Sequence, residues 1–165
     1  LGDLRSRKLM FTRLESYSGC KAPVLLLCER ENMRPDRDYR WGFSLGDVES
    51  VRGIAAKEYE AAAVASHVLA QMESRGEIDA KSVRTICEFG QFPTLTFGYV
   101  YNLAPDLRSA IRKTLLGLDL KSTGLRGTFA SGATSLVPID YKNDGATPRR
   151  IDHLAVPYVA AKGHE

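Results

Sequence analysis

The sequence predicts an α/β fold, a mostly parallel sheet flanked by helices, and three observations predict it. Short apolar stretches suited to strands alternate with longer stretches of helical period from Lys8 to Phe89. Proline and glycine fall at helix ends: Pro23 is tolerable only in a first turn, and Gly76 stops a helix. Glu60–Ser66 is a run of small apolar residues without alternation, as a strand covered on both faces requires.

The elements follow in order. Lys8–Thr12 reads as a strand that ends in the polar turn Glu15-Ser-Tyr-Ser-Gly19. Lys21 to Glu31 is a buried helix whose start, set by Pro23, lies near Ser18 to Cys20. Met33–Asp38 is a loop and Tyr39–Ser44 a second strand. Asp47–Ala56 is a helix with Ser44 or Asp47 near its cap. Glu60–Ser66 is the third strand, His67–Arg75 the next helix and Val83–Phe89 a further strand. Thr96–Tyr101 is one more strand, and Pro105 opens a helix to about Leu118 with Leu107, Ile111, Leu115 and Leu118 on one face. Leu136–Tyr141 precedes a terminal helical segment around Thr147–Lys162, which Pro157 kinks or divides.

At 165 residues and 44% hydrophobic the chain is long enough to bury a real core. Its net charge of +3 could help attract a small anion, but it lacks the dense basic stripe of a nucleic-acid binder. No run approaches the roughly 18 apolar residues of a membrane-spanning helix. Cys20, Cys28 and Cys87 have no metal-ligand spacing and read as free thiols, although Cys87 could in principle pair with one of the others. His67, His153 and His164 show no helical pairing for a metal, and no cofactor motif appears. The opening Leu1-Gly-Asp-Leu4 has neither an initiator Met nor a signal-peptide pattern, so we expect a longer precursor or an N-terminal part not included here.

The most specific local feature is Phe11-Thr-Arg-Leu-Glu-Ser-Tyr-Ser-Gly-Cys-Lys-Ala-Pro23: a strand, a hydroxyl-rich turn and a helix start. A protein can hold a tetrahedral oxyanion this way without a metal. The first free N–H groups of the helix point at the ligand, its dipole favours negative charge, and serine hydroxyls add donors. Gly19 would let the backbone approach closely. Ser16, Ser18 and the N–H groups of Tyr17 to Cys20 are the first-choice contacts. The competing reading is that both serines only cap the helix.

This stretch resembles the Ser-Thr-Ser-Gly loop of the phosphonate, phosphite and phosphate-type periplasmic binding proteins of ABC importers. The resemblance continues through Lys21-Ala-Pro-Val-Leu-Leu-Leu27, Pro35-Asp-Arg-Asp-Tyr39, Phe43-Ser-Leu-Gly-Asp-Val-Glu-Ser50 and Tyr59-Glu-Ala-Ala-Ala-Val-Ala-Ser66. Phe97–Leu107 and Val137–Lys142 extend it, so it covers nearly the whole chain in order. It implies a periplasmic-binding-protein type II-like lobe. On that template residues 1–97 are the second of two α/β lobes, and 98–165 are a return segment and C-terminal helices of an incomplete first lobe. Ligand would be held between the lobes, and the closed form would dock on a membrane permease. The localisation implied is periplasmic or lipid-anchored extracellular.

Three positions depart from the family pattern. Tyr17 stands where Thr is usual. Where the family often reads Gly-Gly-His-Asp-Ala-Ser, this chain has Leu45-Gly-Asp-Val-Glu-Ser50, with Asp47 in place of a phosphonate-contacting His. A carboxylate there repels a dianion but can accept a hydrogen bond from a protonated oxyanion. The competing reading of Asp47 is a helix cap. His67 takes the place of the acidic residue that holds an amino group, which argues against aminoethylphosphonate; otherwise it is a partly buried polar residue at a strand end.

The expectation is therefore a solute-binding component that is not an enzyme, with Ser16, Tyr17, Ser18 and Gly19 as the oxyanion cradle. Asp47, Ser50, His67, Thr94 and Thr96 would form the cleft wall. Expected partners are the oxyanion, an ABC permease and the absent N-terminal lobe. The apolar face of the helix from Pro105 also suggests self-association. Two alternatives stand beside it. The same lobes serve ligand-sensing domains of regulators or receptors. Ser16 or Ser18 with His67 and Asp47 has the composition of a hydrolase triad, but the Gly-x-Ser-x-Gly elbow is absent.

Overall fold

The computed structural model describes residues 1–88, 90, 96–121 and 133–160. The chain divides into two compact units, one of residues 1–90 with 145–165 and the other of residues 91–144.

In the first unit, strand β1 (Lys8–Phe11) lies between β2 (Arg40–Phe43) and β3 (Ala61–Ala62), and both neighbours run parallel to it. The register sets Leu9 opposite Trp41 and Ala61, and Phe11 opposite Phe43. Alternation along β1 turns Leu9 and Phe11 into the core, and Phe11 is wholly buried. Its ring meets the edges of Tyr39 and Trp41 at centroid separations of 6.4 and 5.8 Å.

Helix α1 (Ala22–Glu31) follows β1, with Pro23 in its first turn and Asn32 ending it in the left-handed conformation. Val24 and Leu27 seal it against the Leu9–Phe11 face. Helix α5 (Ala146–Val159) contributes Val159 to the same cluster. A Lys21–Asp152 ion pair at 2.5 Å joins the two helices, and Arg34 stacks over Tyr158. Pro157 is carried inside α5 without dividing it; what it removes is one N–H donor near the C-terminal end.

Helices α2 (Asp47–Ala55) and α3 (Ser66–Ser74) follow β2 and β3, and pack on one another with Val51 and Met72 buried. Gly76 turns the chain out of α3 at a φ of 67°. The alternating order and parallel sheet expected from sequence are present. The third strand is shorter than the expected Glu60–Ser66, extended only by an Ala63 N–H bond to the Met10 carbonyl.

Two expected strands are not. Val83–Glu88 is irregular and lies mostly at the surface, with Ile86 49% exposed; Phe89, the last residue of that expected strand, lies outside the described residues. Thr96–Val100 is likewise irregular and exposed, and Tyr101 begins a turn. A strand forms only where a neighbour takes up its alternate N–H and C=O groups. Neither segment has such a neighbour among the described residues, so β-propensity alone does not make them strands.

In the second unit, α4 (Pro105–Leu116) forms as its period requires, yet none of its residues is buried and Leu107 is 50% exposed. The expected segment Leu136–Tyr141 is irregular to Asp140, with Val137 and Tyr141 exposed. Cys20, Cys28 and Cys87 are all free. Burial pushes the Cys20 thiol up to about 12, which leaves it protonated and unreactive.

Contrasting substitutions follow from this burial. Phe11→Ala should cost about 3–5 kcal/mol, whereas Leu107→Ala should cost within about 0.5 kcal/mol. Urea unfolding of the two variants checks this, and equal losses would mean that α4 is covered in solution.

Candidate functional site

Because all three strands run parallel, their carboxyl ends share one edge, and each is followed by a helix whose N-terminus stands there. Between β1 and α1 the chain makes a π-helical turn, Tyr17–Lys21. Ser16 caps it, accepting from the Gly19 N–H at 3.0 Å through its hydroxyl and from the Lys21 N–H at 3.0 Å through its carbonyl. The capping reading of Ser16 is thus correct. The N–H groups of Tyr17 and Ser18 precede any intrahelical acceptor, and none is recorded for them among the described residues. Ser18 is half-buried, with no hydroxyl partner among the described residues.

Gly19 is buried against Thr12, whose N–H donates to the Gly19 carbonyl at 2.9 Å. A Cβ at Gly19 would overlap the Thr12 hydroxyl. That hydroxyl is itself buried without a hydrogen-bond partner among the described residues. The Tyr17 ring is 36% exposed and carries the Lys21 ammonium 5.2 Å from its centroid. Lys21 is also paired with Asp152 of α5.

The segment from β2 to α2 forms the facing wall. Ser44 and Leu45 continue the pairing to β1, donating to the Phe11 and Thr12 carbonyls at 2.8 and 3.0 Å. Leu45 has a φ of 75° and is 66% exposed, a conformation that favours glycine, and glycine is what the family pattern carries there. Its carbonyl accepts from Arg13 Nε at 2.7 Å. Gly46 is the N-cap of α2, so Asp47 is its first helical residue rather than its cap. Asp47 Oδ1 instead accepts the Ala65 N–H at 2.7 Å, tying the start of α2 to the start of α3.

Of the other expected wall residues, Ser50 is fully buried with its hydroxyl 2.6 Å from that of Ser44. His67 is half-buried in the first turn of α3. Thr96 is exposed in the second unit, and Thr94 lies outside the described residues.

An open depression of about 290 Å³ lies along this edge, lined by Thr12, Arg13, Glu15, Ser16, Gly46 and Asp47. It brings together Ser16 and Asp47 from the expected set and adds Arg13, Glu15 and Thr12, which the sequence reading passed over. Their signal was present, since all three sit within the quoted strand-to-helix segment. A lone Arg or Glu in a turn is ordinary, and carries no signal of its own beside the hydroxyls, the glycine and the free N–H groups of that segment. Among the described residues no group of His, Cys, Asp and Glu is arranged to hold a metal. Among the described residues no hydrogen bond joins Ser16, Asp47 and His67; the Ser16 hydroxyl accepts from Gly19 and Asp47 Oδ1 from Ala65.

The backbone account gives opposite expectations for two substitutions. Gly19→Ala should destabilise by about 1–3 kcal/mol through overpacking on Thr12. Leu45→Gly should stabilise by about 1 kcal/mol through relief of the left-handed Leu. Thermal melts check both; losses in both variants would contradict the strain assigned to Leu45.

The parallel sheet, the turn and the shared edge of helix N-termini are the frame of a ligand-binding α/β lobe. A family model described as ABC transporter, phosphonate, periplasmic substrate-binding protein matches residues 1–144. Proteins of that description bind and hand over a solute rather than transform it, and work in the periplasm or outside the cell. The chain belongs to the family of phosphonate-type periplasmic substrate-binding proteins of ABC transporters.

Proposed function

We propose that the chain captures a phosphonate-, phosphite- or phosphate-like oxyanion at the carboxyl edge of the sheet and delivers it to an ABC permease. The observation that carries this is the turn Ser16–Gly19, which leaves the Tyr17 and Ser18 N–H groups and the Ser18 hydroxyl without protein partners among the described residues. Helix N-termini concentrate donors and a partial positive charge of about 0.5 each, which is the environment a tetrahedral oxyanion needs. In this reading Ser16 shapes the cradle by capping it, Tyr17 and Ser18 face the ligand with their N–H groups and Ser18 with its hydroxyl as well, and Gly19, whose N–H is held by Ser16, lets the backbone close beneath them.

In this reading Asp47 and His67, in the first turns of α2 and α3 at the same edge, form the wall that faces the cradle. Ser50 supports that wall from within through Ser44. In the same reading residues 1–97 act as one of two lobes that close on the ligand. The permease, the complementary lobe and association through the α4 face are the partners this reading assigns.

Titration calorimetry of the full-length protein, both lobes present, with phosphate, phosphite, methylphosphonate and aminoethylphosphonate tests it. One oxyanion should bind with a Kd near micromolar or tighter, about −8 kcal/mol. Ser18→Ala should weaken it by about 10- to 100-fold, the loss of one hydrogen bond to a charged group. No heat with any of the four, or affinity untouched by Ser18→Ala, would contradict the proposal.

A further inference from the structure

The depression beside the cradle carries an unusual set of charges for an anion site. Arg13 is the one cation lining it among the described residues, set against the carboxylates of Glu15 and Asp47. Arg13 is held in place by its Nε bond to the Leu45 carbonyl, which leaves its terminal nitrogens available on the rim. Asp47 is held too. Its Oδ1 is fixed by the Ala65 N–H, so the carboxylate cannot swing away from a ligand without breaking the link between α2 and α3. Glu15 is exposed on the same rim, and among the described residues no cation neutralises it. The remaining charged or titratable groups at this edge are Lys21 and Tyr17 in the turn, the first of them paired with Asp152, Glu49 on α2 and His67 on α3.

Resting on the oxyanion reading above, we propose that this site selects singly charged oxyanions, phosphonate monoesters and monoprotonated phosphonates, over dianions. A single negative charge is matched by Arg13 and the N–H donors of the turn. A second charge doubles the attraction to Arg13 and the repulsion from Asp47 and Glu15 alike, and because two carboxylates face one guanidinium in this lining, with Lys21 already paired to Asp152, the net effect of these side chains opposes it. A monoprotonated ligand gains besides, because its P–O–H can donate to Asp47 Oδ2, for which no protein donor is recorded among the described residues. Asp47 is thus the residue that determines charge selectivity, and Arg13 the one that provides attraction.

The test compares methylphosphonate with its monomethyl ester by calorimetry at mildly alkaline pH, where the first carries two charges and the second one. The ester should bind at least about tenfold tighter to the wild-type protein. Asp47→Asn keeps an acceptor for the Ala65 N–H and so preserves the fold. In that variant the preference should shrink to about threefold or less, mainly through tighter binding of the dianion. A dianion that binds as tightly as the ester in the wild type would overturn the inference while leaving the oxyanion site intact. An ester preference unchanged in Asp47→Asn would also overturn it, since a preference for shape alone would survive the substitution. If neither compound binds either protein, nor any of the four oxyanions above, the underlying oxyanion reading has failed and this inference falls with it.

Discussion

β1 is hydrogen-bonded in parallel to a strand on each side, and the placement of every functional group follows from that pairing. A parallel neighbour can be reached only by a crossover that carries the chain back along the sheet, here through α1 and α2. Each crossover helix therefore begins where its strand ends, at the carboxyl edge. Phe11 anchors the arrangement: wholly buried between Tyr39 and Trp41, it fixes β1 in depth, and Thr12 and the serine turn project just beyond it.

The edge is then refined by two backbone devices. Gly19 lets the turn close against Thr12, so the first free N–H groups stand beside the end of the strand rather than behind a side chain. Leu45 accepts a left-handed conformation to carry its N–H to the Thr12 carbonyl and its own carbonyl to Arg13. A strained residue at a site edge persists when its surroundings over-determine it, and here two hydrogen bonds do so. Asp47 performs the same office between α2 and α3, spending one carboxylate oxygen on architecture.

Much of this was legible in the sequence, and the failures have physical reasons. Strong helical period and end signals located α1, α3 and α4 within a few residues, because Pro23, Gly76 and Pro105 act locally. The strands Val83–Phe89 and Thr96–Tyr101 were misjudged because pairing is a property of two segments, and composition reports on one. In the candidate site, the hydroxyls of the segment point to the turn, but nothing in the sequence points to Arg13 and Glu15. Their importance comes from standing opposite Asp47, and that juxtaposition arises from the sheet, not from any spacing along the chain. The cap of α2 was assigned to Ser44 or Asp47 by residue preference, whereas Gly46 occupies it and frees Asp47 for Ala65.

An oxyanion held as proposed sits on the free N–H groups at the carboxyl edge. Amide nuclear magnetic resonance reads those groups directly. On addition of methylphosphonate or its monoester, the Tyr17 and Ser18 amides should show the largest downfield shifts, followed by those of Asp47 to Glu49 at the start of α2. The Glu29 and Glu31 amides, at the far end of α1, should stay unmoved. Saturating shifts confined to any other surface, with Tyr17 and Ser18 unchanged, would contradict the account.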